Sequence, residues 1–172
     1  MSDMSPTETA EVFAALDRLI AAFPDGFASA WGKADAAMLE RLEAFAGYRL
    51  PDDFPAFALR YGNAHVGNVP IAGLGPVGEG VPAAQALTEE RRAEWRTFPP
   101  RCIALGEENT DLIVLRADGA VEIRTESSRD LSVIGSFPTF TAFLRDAIES
   151  TVEQAKEFGE LADTFDPWRA AR

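Results

Sequence analysis

The chain predicts an α+β fold of one domain with an antiparallel sheet in its middle, and three observations carry that reading. Apolar residues recur at helical spacing before residue 62, short apolar or alternating runs cluster between Cys102 and Ile134, and helical spacing returns from Phe137 onward. Helices, then adjacent strands, then a helix is the order of a sheet whose helices are segregated from it. The 172 residues contain no linker, and a chain of that length holds one hydrophobic core but is short for two.

The first helix opens at Ser5-Pro6-Thr7-Glu8, with Ser5 the expected N-cap, Pro6 at the first helical position and Glu8 three residues on. Val12, Leu16, Leu19, Ile20 and Phe23 make its apolar face, and Pro24-Asp25-Gly26 stops it. A second helix begins near the cap candidate Asp35, places Met38, Leu39, Leu42, Phe45 and Ala46 on one face, and stops at Gly47. In the stretch LPDDFP, Asp52 or Asp53 caps a third helix, because Phe54, Phe57, Ala58 and Tyr61 follow at i, i+3, i+4 and i+7 before Gly62. Residues 64–82 are rich in Gly and Pro and offer one strand, at 69–74. A helix over about 82–95 follows. Strands are expected at 102–105, 112–115 and 120–124, with the hairpin signal Ala117-Asp118-Gly119-Ala120 before the last and a short strand at 131–134. Phe140, Phe143, Leu144, Ala147, Ile148, Val152, Ala155 and Phe158 mark the closing helix.

Sixteen basic and 28 acidic residues give a net charge of −12, and 14 of the 16 bases are arginine. Such a field repels nucleic acid and speeds encounter with basic partners. It is also what solubility alone produces. No run of 18 apolar residues predicts a membrane span, and the N-terminus lacks the basic start and apolar core of a secretory signal. The lone Cys102 cannot staple the fold, which suits a reducing compartment. A cytoplasmic location is expected.

Little catalytic chemistry is legible. His65 is the only histidine and Cys102 the only cysteine, so no metal, cofactor or catalytic residue is expected. The loop Gly106-Glu107-Glu108-Asn109-Thr110-Asp111 carries three carboxylates but lacks the alternation of a calcium loop. It reads as a connection between strands. Residues 73–80 (GLGPVGEG) have no Lys-Ser/Thr after them and read as a flexible loop. Trp31, Trp95 and Trp168 are scattered, which favours packing over a stacking platform. One surface feature stands out. Glu149, Glu153, Glu157 and Glu160 are spaced four, four and three apart, which lines one helical face, and Asp163 and Asp166 would extend the row. Like charges at that spacing weaken an isolated helix slightly, so the ridge is either a solvated face or a surface for a basic partner.

The order of landmarks resembles the SUKH superfamily, the Smi/Knr-type domain. The segment LEAFAGYRLPDDFPAFALRYGN carries Glu43, Leu50, Pro51, Phe54, Phe57 and Tyr61 at matching places; Ile71, Gly73 and Leu74 follow; Asp111 takes the aspartate position between two strands; and Ser136, Phe137, Phe143 and Leu144 match the approach to the closing helix. The match covers about residues 35–148, leaving an extra N-terminal helix (1–34) and an acidic C-terminal helix extension (149–172). Gly62-Asn63 stands where the family often has Asn-Gly, and Glu108-Asn109-Thr110 where it has glycines. The resemblance implies a single domain with a curved antiparallel sheet of about four to six strands, flanked by helices, with a long C-terminal helix. It implies a non-catalytic protein, and many members resemble immunity proteins that neutralise toxins, often nucleases, by binding them. Other members are regulatory or scaffold domains. On that footing Glu149, Glu153, Glu157 and Glu160 are the expected partner-binding residues, with Glu107 and Glu108 as a second patch and a basic toxin domain as the partner. Asp111 is expected to satisfy backbone donors where its strand begins.

Overall fold

Among the described residues the chain forms five helices. The computed structural model describes residues 6–24, 26–127 and 130–169; the expected Ser5 cap and Asp25 fall outside them. Helix α1 spans Pro6–Ala22, α2 Ala36–Ala46, α3 Asp53–Tyr61, α4 Ala83–Glu94 and α5 Phe140–Glu157. At α2 the expected cap forms, because Asp35 is extended and its carboxylate accepts the Met38 N–H at 2.9 Å. Gly47, at φ 77°, ends that helix.

The cap of α3 is a correction. Asp52 already has helical φ and ψ, so its side chain cannot turn back onto the first turn, and it pairs instead with Arg49 at 2.9 Å. Asp53 divides its carboxylate: Oδ1 accepts the N–H of Phe54 in its own helix at 3.0 Å, and Oδ2 faces α5. There its Oδ2 accepts the Thr141 N–H at 2.9 Å and the Thr141 hydroxyl at 3.2 Å, while Thr139 caps Ala142 at 3.1 Å. One helix's acid thus satisfies another helix's free N-terminal donors.

Among the described residues, nine strands form three antiparallel groups. β1 (Ala28–Trp31), β2 (Asn63–Val66) and β3 (Val69–Ile71) make a three-stranded sheet, β4 (Pro76–Val77) and β5 (Val81–Pro82) a minimal ribbon, and β6 (Cys102–Glu108), β7 (Asp111–Arg116), β8 (Val121–Ser127) and β9 (Asp130–Phe137) a four-stranded meander. The four-stranded sheet is the one expected from sequence. β1, β2 and the β4–β5 ribbon were not, since two to four residues are too few to show a period.

Where β3 meets β6 the two larger sheets abut. Ala72 donates to the Leu105 carbonyl at 2.6 Å, beside a register shift in which Leu105 is the extra residue of β6. Gly106 is required there, because a Cβ would overlap the Pro70 carbonyl oxygen. The GLGPVGEG segment is likewise a packed junction at its start rather than a flexible loop. Buried Asn63 accepts the Gly73 N–H at 2.9 Å and donates to the Gly75 carbonyl at 3.4 Å, and a Cβ on Gly73 would overlap the Gly62 carbonyl.

The main core lies between the helices and one face of the sheets, where Leu16, Leu19, Phe54, Phe57, Phe140 and Ile148 are fully buried. Phe54 and Phe57 place their rings 5.2 and 5.0 Å from Phe140. The opposite face of β6–β9 carries a second cluster of Cys102, Ala104, Leu112, Val114 and Leu131, against which Leu87, Trp95 and Phe98 pack. Burial on both faces is why 102–105 and 112–115 read as unbroken apolar runs.

The family-like positions do structural work. Leu50, Phe54, Phe143 and Leu144 are buried, and the Glu43 carboxylate accepts the Leu50 N–H at 2.8 Å, fixing the turn before Pro51. Phe137 ends β9 rather than starting the helix, its ring 5.6 Å from Phe143. Trp95 and Trp168 pack as expected; Trp31 is 47% exposed, its ring 5.1 Å from that of His65. No helix among the described residues is long and apolar enough to cross a membrane.

Candidate functional site: an acidic groove between the last helix and the chain after it

The acidic ridge is shorter than its spacing suggests. Glu149, Glu153 and Glu157 lie exposed on α5, but the helix ends at Glu157. Gly159 adopts φ 71°, and the Ala155 carbonyl accepts from both Glu160 (2.8 Å) and Leu161 (3.2 Å), which closes the last turn. Glu160 is therefore off the helix, and residues 158–169 are an irregular segment rather than an acidic helix extension. Phe158, on the expected apolar face, is 69% exposed.

The physical reason is apolar burial. Leu161, Phe165 and Trp168 pack against the main core, and a continued helix would carry them away from it. Polar contacts hold the segment down. Arg18 donates to the Pro167 carbonyl at 2.6 Å, the Arg145 guanidinium lies 4.6 Å from the Trp168 ring centre, and Asp166 accepts the Trp168 N–H at 2.9 Å.

Folding back creates a groove of about 470 Å³ whose walls include Glu149, Val152, Glu153, Asp163, Phe165 and Asp166. Two cations, Lys156 and Arg169, line it as well, and Arg169 is paired with Asp166 at 3.1 Å. Four carboxylates against two cations, with Val152 and Phe165 between them, can receive a basic side chain whose aliphatic stem needs an apolar wall. Of the four predicted glutamates, Glu149 and Glu153 enter this groove; Glu157 and Glu160 do not. Asp163 and Asp166 reach it by the reversal of the chain, not by helical periodicity.

The second predicted patch differs more. Glu107 and Glu108 are in β6, not in a loop; the connection is the two-residue turn Asn109-Thr110, both at positive φ (49° and 77°). Glu107 is 2.9 Å from the Arg91 guanidinium of α4, so it serves the fold and is not free to meet a partner. Glu108 is half-buried opposite Asp111. Among the described residues the Asp111 carboxylate accepts no backbone hydrogen bond, so the role expected for it is not seen; the turn is closed by backbone pairing alone.

Two carboxylates are withdrawn from solvent in ways the sequence did not show: Asp53, read only as a cap of α3 and half-buried here, and Glu122, which is buried. Asp53 sits among neutral dipoles, and burial raises its carboxyl despite the bonds from Thr141. At Glu122, 5% exposed, burial pushes upward too, but the bonds from Arg116 and Arg124 win and hold it below the usual range. The alternation Val121-Glu122-Ile123-Arg124 marks a sheet with one polar face, but it does not say that Glu122 is enclosed. Burial raises the Cys102 thiol to about 11, so it is no nucleophile at neutral pH. Among the described residues no group of three or more His, Cys, Asp and Glu is placed to hold a metal ion. No family model matches this chain, and no curated protein does.

Proposed function

We propose that this protein is a non-catalytic, cytoplasmic binding module of immunity type, which neutralises a toxin by docking the toxin's basic surface into the groove between α5 and residues 161–169. The SUKH-like order of landmarks motivates the class. The observation that carries the surface is the convergence of Glu149, Glu153, Asp163 and Asp166 on one apolar-floored groove, two of them brought there by the reversal at Gly159. A nuclease toxin recognises phosphate with basic residues, so an acidic groove is a natural competitor for them.

Charge reversal separates this surface from the ridge the spacing suggested. With the product of the neighbouring gene tested as the toxin, Glu149→Lys/Glu153→Lys/Asp163→Lys should weaken binding by at least about 100-fold, the scale of several desolvated charge contacts. Glu157→Lys/Glu160→Lys, outside the groove, should change it by less than about 10-fold, as rim charges do. Equal losses would move the surface to the open side of α5, and no binding by the wild type would end the immunity reading.

A further inference from the structure

The opposite face of the molecule holds a second charged groove of the other sign. Residues paired across the sheet share a face, so Cys102↔Arg116, Val114↔Glu122, Leu112↔Arg124 and Arg124↔Val133 place Arg116, Glu122, Arg124 and Val133 on the face that α4 covers at β6. They lie beyond that cover: Val133 is 48% exposed, and the Arg116 side chain 44%. Here a groove of about 440 Å³ is lined by Pro99, Pro100, Arg101, Arg116, Asp118 and Arg124. Its volume lies in the range of small-molecule sites.

Glu122 organises the cations. Its Oε1 accepts from Arg116 Nη1 at 2.7 Å and its Oε2 from Arg124 Nε at 2.8 Å. Arg124 also donates to the Leu131 carbonyl at 3.1 Å, and Arg116 makes two bonds to Asp118 at 3.1 and 2.7 Å. A guanidinium carries five N–H groups, so the bonds seen among the described residues leave donors on both. A buried carboxylate that fixes two forks while leaving donors open is the arrangement that orients arginines toward a further anion.

Arg101 supplies a third guanidinium. It has no carboxylate partner among the described residues, lies 5.5 Å from the Tyr48 ring centre, and adopts φ 54°, a left-handed conformation that a side chain of its size rarely takes. The groove therefore sets three guanidiniums against Asp118 and the enclosed Glu122, a local positive excess in a chain of net −12. Solubility does not call for that excess. Pro99, Pro100 and Ala117 add an apolar wall.

We propose that this groove binds the phosphoryl group of a small molecule, with Arg101, Arg116 and Arg124 as its ligands and the proline wall against the molecule's apolar part. Several guanidiniums reaching from separate backbone positions suit a tetrahedral oxyanion with oxygens on all sides better than a planar carboxylate. A polyanion such as nucleic acid would meet the repulsive field of the whole chain; a single phosphomonoester would not.

Titration of the full chain with inorganic phosphate at constant ionic strength, followed by backbone amide chemical shifts, tests the site. The expected result is saturable shifts confined to residues 101–102, 116–118 and 124, and an affinity about 10-fold weaker in Arg101→Ala, the loss of one charge-assisted contact. Arg101 is exposed and outside the ion-pair network, so this variant should keep the wild-type spectrum elsewhere. Shifts that do not saturate, equal or stronger saturation by acetate, or unchanged affinity in Arg101→Ala would each overturn the proposal.

Discussion

The two charged regions of this molecule are built on opposite principles. Along α5 and the segment after it, Glu149, Glu153 and Asp163 stand exposed, and the fold asks nothing of them. On the β7–β8 face, Glu122 is enclosed, and both of its oxygens are held by arginines. The first arrangement leaves charge available to another molecule. In the second, the carboxylate is spent on neighbours of its own chain. The difference teaches that acidity in the sequence does not locate a partner surface: accessibility does, and only the fold decides it.

Removing the enclosed carboxylate should have the largest effect on stability. Glu122→Ala leaves Arg124 in a partly dry site without its counter-charge and Arg116 with Asp118 alone, and a cost of about 3 kcal/mol is expected by urea unfolding. A cost under about 1 kcal/mol, the value of an exposed pair, would make Glu122 an ordinary surface acid and erase the contrast. Next is Asp53→Ala, which strips the α5 N-terminus of two hydrogen bonds and should cost about 1–2 kcal/mol.

Dependence on pH sharpens the comparison, because the two enclosed carboxylates act with opposite sign. Glu122 is held below its usual range, so its contribution is full above the unfolded-state value and is lost as pH falls through the folded one. Asp53 is raised, so its contribution is full below the unfolded-state value and is lost as pH rises through the folded one. Unfolding measured from about pH 3 to about pH 7 spans the unfolded-state values of both. Relative to wild type, Glu122→Gln should fall further behind as pH rises, and Asp53→Asn should gain. Parallel slopes would contradict the assignment of ionic partners to one and neutral dipoles to the other. The smallest effect is on Cys102, whose thiol is raised to about 11 by burial first and by nearby Glu122 second. It should resist alkylation at neutral pH in the native protein and react quickly in denaturant; fast native labelling would show that the second core cluster is open.

Much of the fold was legible because its long elements have strong periods. The α2 cap at Asp35, the stop at Gly47 and the apolar face of α5 follow from local chemistry that tertiary structure did not override. The small sheet was not legible: β1 and β2 have four residues each, and their pairing joins positions more than thirty apart in the chain. Asp53 shows the same limit at one residue. Its position before an apolar helical run says cap of α3; one oxygen does stay there on the Phe54 N–H, but the other serves α5, 88 residues away. At the candidate site, periodicity correctly placed Glu149 and Glu153 together and wrongly added Glu160. Spacing alone could not weigh the burial of Leu161, Phe165 and Trp168 against another helical turn, although those three apolar residues among acids were the available signal.

The central claim is that Glu149, Glu153 and Asp163 in the groove serve a partner and not the fold. The most direct test measures both quantities on one protein, Glu149→Lys/Glu153→Lys/Asp163→Lys. Its unfolding free energy should stay within about 1 kcal/mol of wild type, as for exposed charges, while affinity for the product of the neighbouring gene, tested as the proposed toxin, falls at least about 100-fold. A stability loss as large as that of Glu122→Ala, or full affinity at wild-type stability, would contradict the account.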